Sequence, residues 1–402
     1  MSHIKKYAPR RRFEKFSNAD DWEQRKLGDH AKYRRGSFPQ PYGNKEWYDG
    51  EGAMPFVQVV DVTSKLTLVE NTKQKISKLA QPKSVFVPKG KVIVTLQGSI
   101  GRVAITQYDS FVDRTLLIFD DYEKETDERF WAYTIQKKFE IEKLKAPGGT
   151  IKTITKEALS SFDVHLPQFE EQQKIGILFK QLDDTIALHQ RKLEKIKALK
   201  TAYLSEMFPA EGETKPKRRF AGFTDDWEQR KFIEIINRLS KTSNSSILPK
   251  VEYEDIIAEE GRLNKDISNK FDSRKGILFQ PNNILYGKLR PYLKNWLYPD
   301  FKGVAVGDFW VFEAIEATPR FIYNLIQSDS YQKAANDTAG TKMPRSDWTK
   351  VSNSSFFIPE ESSEQKRIGT FFKQLDNTIA LHQRKLQKLQ NIKKAYLNEM
   401  FI

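Results

Sequence analysis

The chain contains two copies of one sequence plan, and this repeat constrains the fold more than any other feature. The heptapeptide Asp20–Lys26 recurs unchanged as Asp225–Lys231, 205 residues later. A longer segment, Glu171–Phe208, recurs as Glu364–Phe401 with 26 identical residues in 38 positions. Each copy has a short head, a variable middle and a long tail, and the two middles share little sequence. The repeat therefore predicts two units with the same frame and different contents.

The two tails have the pattern of long helices. Neither contains an internal proline, and Pro167 and Pro359 lie just before them. Apolar residues recur at three- and four-residue spacing, as in a coiled coil, and 38 helical residues would form a rod of roughly 57 Å. The predicted seam residues, which would also support subunit assembly, are Ile175, Phe179, Leu182, Ile186, His189 and Leu193, and Ile368, Phe372, Leu375, Ile379, His382 and Leu386.

Two such stripes in one chain are expected to pack against each other. Antiparallel packing is favoured over parallel packing because nearly identical units commonly associate with two-fold symmetry. This register would place His189 near Leu386 and His382 near Leu193. Both histidines are interpreted as polar residues that fix the register of the seam.

The middles have the pattern of a mixed fold. Strands are predicted at Val92–Leu96, Val103–Ile105 and Ile284–Tyr286, and helices at Glu128–Lys138 and Pro319–Ala335. The predicted fold class is α/β (α+β), with two pseudo-symmetric globular domains separated by two long helices that pack as an antiparallel coiled coil. The predicted segments are domain 1 (10–167), the first helix (168–208), a linker (209–217), domain 2 (218–359) and the second helix (360–402).

Composition excludes several classes of protein. Cysteine is absent, which removes disulfides, thiolate metal sites and a cysteine nucleophile, and fits a reducing cytoplasm. The five histidines show no metal-ligand spacing, so no metal site is expected. The basic segment Met1–Arg12 is not followed by an apolar stretch, and no apolar run approaches the roughly 18 residues of a membrane span. We therefore expect no signal peptide and no membrane partner.

Catalytic motifs are also missing from the sequence. There is no phosphate-binding loop, no dinucleotide fingerprint after a strand, and no Asn-Pro-Pro or Asp-Pro-Pro turn. Glu213-Thr214-Lys215 has the spacing of a nuclease metal site, but it lies in the linker without a strand around it. The sequence predicts a non-catalytic chain, and a free-standing nuclease is a weak alternative.

The charge pattern favours a polyanionic partner. Lysine and arginine exceed aspartate and glutamate by 14, and basic residues neutralise phosphates and can read guanine. Two unlike basic domains at a fixed separation suit double-stranded DNA with a two-part asymmetric target. A protein-binding coiled-coil scaffold without nucleic acid is the alternative, although each basic group could also be a solvated loop. The candidate DNA-binding residues belong to clusters that are predicted to lie at turns of the middles, and they are Lys32, Arg34, Arg35, Lys288, Arg290, Lys294, Lys342 and Arg345.

Over essentially its full length the sequence resembles the specificity subunit of type I restriction–modification enzymes. The first head departs from the second, since Glu14-Lys15 stands where the second has Ala221-Gly222. The motifs that carry the resemblance are Arg218–Thr224 with Asp226–Glu228, Gly149-Thr150 and Gly340-Thr341, Leu166-Pro167 and Ile358-Pro359, Glu171–Ile175 and Glu364–Ile368, Leu182-Asp183 and Leu375-Asp376, Ile284–Tyr292, and Asp308–Trp310.

The resemblance implies a function that the residues alone do not define. Two target-recognition domains would each read one half of a bipartite site. The helices would set the spacer and dock two modification (methyltransferase) subunits, which bind S-adenosylmethionine and methylate adenine. Restriction subunits would add ATP- and Mg²⁺-dependent translocation and cleavage. The chain itself would be non-catalytic and hold no cofactor.

Overall fold

The structure, a computed structural model, describes residues 7–145, 154, 156–270, 272–338 and 342–401. The chain divides into two compact units, one formed by Met1–His189 with Lys385–Ile402 and the other by Gln190–Arg384. Each unit contains one predicted globular domain and a part of each long helix. The predicted mixed fold with two repeated domains is confirmed.

The helices are few in each domain and long only in the tails. The short helix at the end of each head begins directly after a strand, and two further helices complete domain 1 and three complete domain 2. The helices are α1 (Leu27–His30), α2 (Glu128–Lys145), α3 (Lys156–Ser160), α4 (Phe169–Glu206), α5 (Phe232–Ile235), α6 (Pro319–Leu325), α7 (Asp329–Asn336), α8 (Trp348–Asn353) and α9 (Ser362–Met400).

The helical stretch predicted over Pro319–Ala335 is found, but it consists of two helices, α6 and α7. The side chain of Ser328 accepts a hydrogen bond from the backbone N–H of Tyr331, and this N-cap starts α7 as a new helix. The helix predicted over Glu128–Lys138 is found, and it extends to Lys145.

Domain 1 contains two four-stranded sheets and one two-stranded sheet. Its strands are β1 (Glu23–Lys26), β2 (Ala31–Arg35), β3 (Met54–Val57), β4 (Gln74–Ile76), β5 (Val85–Val87), β6 (Val92–Thr95), β7 (Val103–Ile105), β8 (Ser110–Val112), β9 (Leu116–Tyr122) and β10 (Asp163–Leu166). One sheet has the order β2-β9-β6-β7 and the other β4-β3-β8-β5, where β3 and β8 are parallel. β1 pairs with β10, so the head is joined to the strand that precedes α4.

Domain 2 repeats most of this topology. Its strands are β11 (Glu228–Lys231), β12 (Ile236–Leu239), β13 (Thr242–Ser243), β14 (Lys250–Val251), β15 (Ile256–Ile257), β16 (Arg262–Leu263), β17 (Gly276–Phe279), β18 (Ile284–Gly287), β19 (Trp296–Leu297), β20 (Gly303–Ala305), β21 (Phe309–Ala314) and β22 (Ser355–Ile358). The sheet β12-β21-β18-β19 corresponds to β2-β9-β6-β7, and β11 pairs with β22 as β1 pairs with β10. The other four-stranded sheet has the order β13-β17-β20-β14, in which β14, β20 and β17 correspond to β3, β8 and β5, while β4 has no counterpart and β13 is added at the opposite edge. Strand order is therefore conserved in the first sheet and only partly in the second.

The long helices run antiparallel inside each unit. In the first unit the rings of Phe179 and Phe401 lie 5.6 Å apart, and in the second unit those of Tyr203 and Phe371 lie 5.1 Å apart. In both units an early residue of one helix contacts a residue near the C-terminal end of the other, and Phe401 directly follows α9. The predicted antiparallel pairing is confirmed.

A glycine near the start of each long helix allows its domain to pack closely. A Cβ atom at Gly176 would lie 2.5 Å from Asp127 Oδ1, and one at Gly369 would lie 2.7 Å from Arg320 Cγ. Asp127 is the residue just before α2, the helix of domain 1 that rests on α4. Arg320 belongs to α6, the helix of domain 2 that rests on α9. The repeated glycine thus fixes how each domain sits on its helix.

In the part of the chain that the structure describes, no helix is both long enough and apolar enough to cross a membrane.

Candidate nucleic-acid interface

Domain 2 presents a short turn between β18 and β19, which we call the basic turn (Lys288–Lys294). A one-turn 3₁₀ helix, Pro291–Leu293, forms its centre. The residues on either side, Arg290 and Lys294, have left-handed backbones with φ angles of 49° and 54°. Residues with a Cβ atom rarely adopt this conformation, and it costs about 1–3 kcal/mol at each position.

Domain 1 builds the corresponding turn, Leu96–Gly101, with glycines. It follows β6 as the basic turn follows β18, and the same backbone hydrogen bond from the last strand residue closes both turns. The left-handed positions here are Gly98 and Gly101, with φ angles of 65° and 78°. Glycine adopts this conformation without strain. Domain 2 therefore places cations where the fold itself favours glycine.

Backbone hydrogen bonds hold the basic turn against a second segment of domain 2. The N–H of Arg290 donates to the carbonyl of Pro344 at 2.7 Å, and the N–H of Ser346 donates to the carbonyl of Lys288 at 2.9 Å. Leu289 and Arg345 form an isolated antiparallel bridge. The structure thus brings Lys288, Arg290 and Arg345 together, although more than 50 residues of sequence separate them.

Two of these cations share one carboxylate. Arg345 Nη2 lies 2.8 Å from Asp308 Oδ2, and Lys288 Nζ lies 3.7 Å from Asp308 Oδ1. Arg290 is exposed and, among the described residues, its guanidinium has no ion pair or hydrogen bond. The surface keeps a net positive charge, and Arg290 is its least neutralised member.

The remaining predicted residues of domain 2 lie beside this surface. Lys342 is exposed and stands two residues before Pro344, which accepts from Arg290. Lys294 is half-buried, with Nζ 3.2 Å from Glu259 Oε1, and its carbonyl accepts from the N–H of Glu259. Gly149-Thr150 and Gly340-Thr341, which the resemblance singles out, lie outside the described residues.

The basic residues of domain 1 lie on a strand, and their predicted location in a turn is wrong. Lys32, Arg34 and Arg35 belong to β2, an edge strand that pairs antiparallel with β9. All three are exposed. Lys32 Nζ lies 3.7 Å from Asp121, and Arg34 Nε lies 2.9 Å from Asp120. Two of the three cations are therefore paired with carboxylates of the neighbouring strand.

A cavity nevertheless connects these residues with the counterpart of the basic turn. Arg34 and Arg35 line a cavity of about 280 Å³ together with Leu96, where the turn Leu96–Gly101 begins. The strand that corresponds to β2 in domain 2 carries Arg238, whose guanidinium lies 4.3 Å from the centre of the Trp348 ring. Each domain thus places arginine on the same edge strand.

The predicted seam residues are all buried or half-buried. Seven are buried and five are half-buried, the histidines among the latter. Other apolar residues of the two helices face away from this seam, and Leu188 and its repeat counterpart Leu381 are 44% and 45% exposed. Each helix therefore has both a packed stripe and an exposed apolar position.

A buried ion pair ties each head to its long helix. Arg12 forms two parallel hydrogen bonds with Glu171, at 2.8 and 2.7 Å, and Arg219 does the same with Glu364, at 2.6 and 2.7 Å. The hydrogen bond to Glu171 raises the pKa of Arg12. These pairs are structural, and they hold the domains at the starts of the helices.

The linker motif does not form a catalytic site among the described residues. Lys215 Nζ pairs with Asp226 at 2.6 Å, and Thr214 accepts a backbone hydrogen bond from Trp227. Glu213 is exposed, and no strand of the described chain includes the motif. The residues fasten the linker to the second head.

Sequence reasoning missed several residues that shape the basic turn. The Tyr253 hydroxyl donates to the carbonyl of Asp308 at 2.5 Å and accepts from the N–H of Leu289 at 3.1 Å. It therefore bridges the two backbones that carry the cations. Tyr292 ends the motif Ile284–Tyr292 that supports the family resemblance, but nothing in the sequence predicts that Tyr292 and Leu293 form the tip of the turn.

Comparison with known families gives one match that spans most of the chain. The family described as the type I restriction modification DNA specificity domain matches residues 19–198 and again residues 224–391. The two matched segments correspond to the two copies of the repeat.

Individual relatives are more distant. A protein of Methanocaldococcus jannaschii, named as a putative type I restriction enzyme MjaX specificity subunit, is 26% identical over 186 residues. The aligned region covers 45% of this chain and 41% of that relative, so it spans less than half of the relative's length.

Two solved structures share the fold. The S subunit of a type I restriction-modification system from M. genitalium superposes with a TM-score of 0.63 and 16% identity, covering 98% of this chain and 99% of that one. A chain from a study of complex assembly and conformational transition of the type I R-M system superposes with a TM-score of 0.54 and 14% identity. The superposition covers 94% of this chain and 97% of that one.

Proposed function

The chain belongs to the type I restriction–modification DNA specificity family, and on this premise we propose that it selects the DNA site of such an enzyme. Each recognition domain reads one half of a bipartite asymmetric sequence in double-stranded DNA. The observation that carries this proposal is the basic turn, where Lys288, Arg290 and Arg345 converge on one exposed face. Cations on a rigid frame neutralise phosphates and orient a domain on the duplex.

The different contents of the two domains support an asymmetric target. The frame that joins each domain to its helix is the same in both copies, down to the paired arginine and glutamate. The exposed turns differ, with glycines in one domain and cations in the other. A conserved frame with divergent exposed turns is what two readers of different half-sites require.

The long helices set the spacer and dock the partner subunits. Coiled-coil helices resist bending, so they can fix the separation of two half-sites. Leu188 and Leu381 are exposed apolar residues at equivalent positions, and apolar residues of this kind form the centres of protein interfaces. We assign these positions to the binding of two modification subunits.

Catalysis and cofactors belong to the partners in this proposal. The modification subunits bind S-adenosylmethionine and methylate adenine, and restriction subunits use ATP and Mg²⁺. This chain determines which DNA sequence the complex binds, and it holds no cofactor. Its DNA surface consists of Lys32, Arg34, Arg35, Lys288, Arg290, Lys294, Lys342 and Arg345.

A map of methylated bases tests the proposal directly. The chain is co-expressed with its modification subunit in a host without DNA methylation, and the genome is sequenced for methylated adenine. We expect a single motif with two specific parts and an unspecified spacer. Replacement of residues 218–358 by the corresponding domain of another family member should change one part only.

Charge reversal separates DNA binding from subunit binding. Arg290→Glu with Arg345→Glu should weaken DNA binding strongly and leave the complex with the modification subunit intact. A stable complex that methylates nothing and binds no DNA would favour a protein-binding scaffold instead. DNA affinity that survives the charge reversals would contradict the assigned surface.

A further inference from the structure

The basic turn exposes two large apolar side chains at its tip. Tyr292 is 54% exposed and Leu293 is 41% exposed, and both lie between the left-handed residues Arg290 and Lys294. Single exposed apolar residues are common on protein surfaces and need no explanation. Here two of them occupy consecutive positions on a fixed turn between cations, which is a more specific arrangement.

We propose that Tyr292 and Leu293 contact the bases of the half-site read by domain 2, while Arg290 and Lys294 hold the flanking phosphates. The inference rests on the proposed function and extends it, because it assigns base contacts to the tip of the turn and phosphate contacts to the two flanking residues. Domain 2 then reads its half-site partly by apolar contact.

The turn is rigid enough to present these side chains. Pro291 is buried and restricts the backbone at the centre of the turn. The N–H of Leu293 donates to the carbonyl of Arg290 at 2.8 Å, and the N–H of Lys294 donates to the carbonyl of Pro291 at 2.9 Å. The Tyr253 hydroxyl also holds the turn in place, because it hydrogen-bonds the backbones of both Leu289 and Asp308. A contact made by such a turn requires little further ordering on binding.

The corresponding turn of domain 1 shows that the fold does not need these residues. Its left-handed positions are glycines, and Ile100, the apolar residue between them, is buried. The same strand connection therefore forms without strain and without an exposed apolar tip. Because the residues of domain 2 make the turn less favourable, their presence points to a role in binding.

The chemistry of the tip fits DNA bases better than phosphates. Apolar side chains contact the thymine methyl group or wedge between base steps, and neither contact releases counterions. Phosphate contacts by lysine and arginine do release counterions, so they make binding depend on salt. Affinity and salt dependence therefore report on the two parts of the turn separately.

The experiment uses the full chain in complex with its modification subunit. Anisotropy titrations compare a duplex that carries the mapped site with one whose domain 2 half-site is scrambled, over a range of salt concentrations. The variants are Tyr292→Ser with Leu293→Ser, Tyr292→Phe, and Arg290→Gly with Lys294→Gly. Ile233→Ser, an exposed residue of α5 outside the turn, is the matched control.

We expect the ratio of affinities for the mapped and scrambled duplexes to fall by about ten-fold or more in the double serine variant. The slope of log affinity against log salt concentration, here called the salt slope, should not change. Tyr292→Phe and Ile233→Ser should behave as the unaltered chain. The double glycine variant should remain folded, since domain 1 uses glycine at both positions. Its salt slope should fall by about 0.9 for each phosphate that the variant no longer neutralises.

Other results overturn the inference. A double serine variant that keeps its preference for the mapped duplex excludes base contact by the tip. Equal losses for Tyr292→Phe and the double serine variant would assign the contact to the hydroxyl group and not to the apolar side chains. If the unaltered complex does not distinguish the two duplexes, or no methylated motif exists, the proposed function itself fails.

Discussion

Lys393 Nζ lies 2.5 Å from Asp183 Oδ1, and this ion pair joins the two long helices inside the first unit. Its repeat counterpart inside the second unit is Lys200 with Asp376, at 2.7 Å. The aspartate comes from α4 in one unit and from α9 in the other. Antiparallel pairing of two copies of one helix sequence produces this exchange, because each copy meets the other in reverse.

Loss of Asp183 should destabilise the first unit. Lys393 is half-buried, and the Tyr133 hydroxyl also donates to Asp183, at 2.5 Å, so Asp183→Ala leaves two groups without their partner. We expect the free energy of unfolding in urea to fall by about 1–3 kcal/mol. Asp184→Ala is the control, since Asp184 is exposed and its one ion pair among the described residues is with Lys180 on the same helix. Equal effects of the two substitutions would contradict this role.

The ion pair of Arg12 with Glu171 in the first head should contribute more to stability than Asp183 does. Glu171 is only 1% exposed and forms both hydrogen bonds to Arg12, so Glu171→Gln leaves a guanidinium that is largely buried without its counter-charge. We expect a loss of about 3–5 kcal/mol in the free energy of unfolding. The neighbouring ion pair of Glu170 and Lys15 is exposed, so Glu170→Gln should leave the free energy of unfolding nearly unchanged. Similar losses at both positions would disprove the distinction.

The sequence predicts the frame of this protein well. Heptad spacing locates α4 and α9 within a few residues of their observed bounds, since the 3.6-residue period of an amphipathic helix is visible in a single sequence. Strands such as Val103–Ile105 are also found where β-branched residues cluster. These features depend on local pattern, which is why they can be predicted.

The candidate site is less predictable because it depends on contacts between distant segments. Nothing in the sequence pairs Leu289 with Arg345, and nothing indicates that Arg290 adopts a left-handed backbone. The edge-strand position of Arg34 and Arg35 also depends on pairing with β9, more than 80 residues away. Basic composition identifies candidate residues, but only the tertiary fold shows which of them share a surface.

Acid should destabilise the first unit through His30. Burial lowers the pKa of His30 to about 4, with a smaller contribution from Arg25, whereas an unfolded histidine titrates near 6.5. Above pH 6.5 both states are neutral and the histidine has no effect. As the pH falls from 6.5 towards 4 the unfolded state binds the proton first, so stability falls by at most about 1.4 kcal/mol per pH unit.

Substitution of His30 should remove most of this pH dependence. His30→Gln retains a polar group near Thr126 Oγ1, which lies 3.0 Å from the histidine Nε2. Urea unfolding at pH 7.5 and pH 5 should differ less for this variant than for the unaltered chain. A smaller residual difference is expected from His165, because burial lowers its pKa too. An unchanged pH dependence would refute the assignment to His30.

Neither helix glycine should tolerate alanine. At Gly176 the added Cβ would meet Asp127 Oδ1, which accepts from the backbone N–H groups of Arg129 and Phe130 and so caps α2. At Gly369 it would lie 2.7 Å from Arg320 Cγ, at the base of a side chain whose guanidinium packs on the Tyr298 ring. The clash outweighs the gain of up to about 1 kcal/mol that alanine has over glycine within a helix. We expect both Gly176→Ala and Gly369→Ala to cost about 1–3 kcal/mol, measured by urea unfolding; a variant at either position that is as stable as the unaltered chain would contradict this account.

Substitutions on the two faces of the long helices should separate folding from assembly. Leu182 and Leu375 are half-buried seam residues, so Leu182→Asp or Leu375→Asp places an unpaired charge in a packed stripe and should disrupt the fold as well as the complex. Leu188→Asp and Leu381→Asp change exposed residues and should leave the melting temperature within about 2 °C.

If those exposed positions dock the modification subunits, each single variant should release one subunit and the double variant both. Light scattering of the purified complex measures this stoichiometry, and circular dichroism of the same samples reports the fold. Gln181→Asp, a substitution at an exposed neutral polar position of the same helix as Leu188, controls for the added negative charge. A Leu188→Asp, Leu381→Asp chain that still binds two modification subunits would place the docking surface elsewhere, because an aspartate cannot be buried in an apolar interface without a large desolvation penalty.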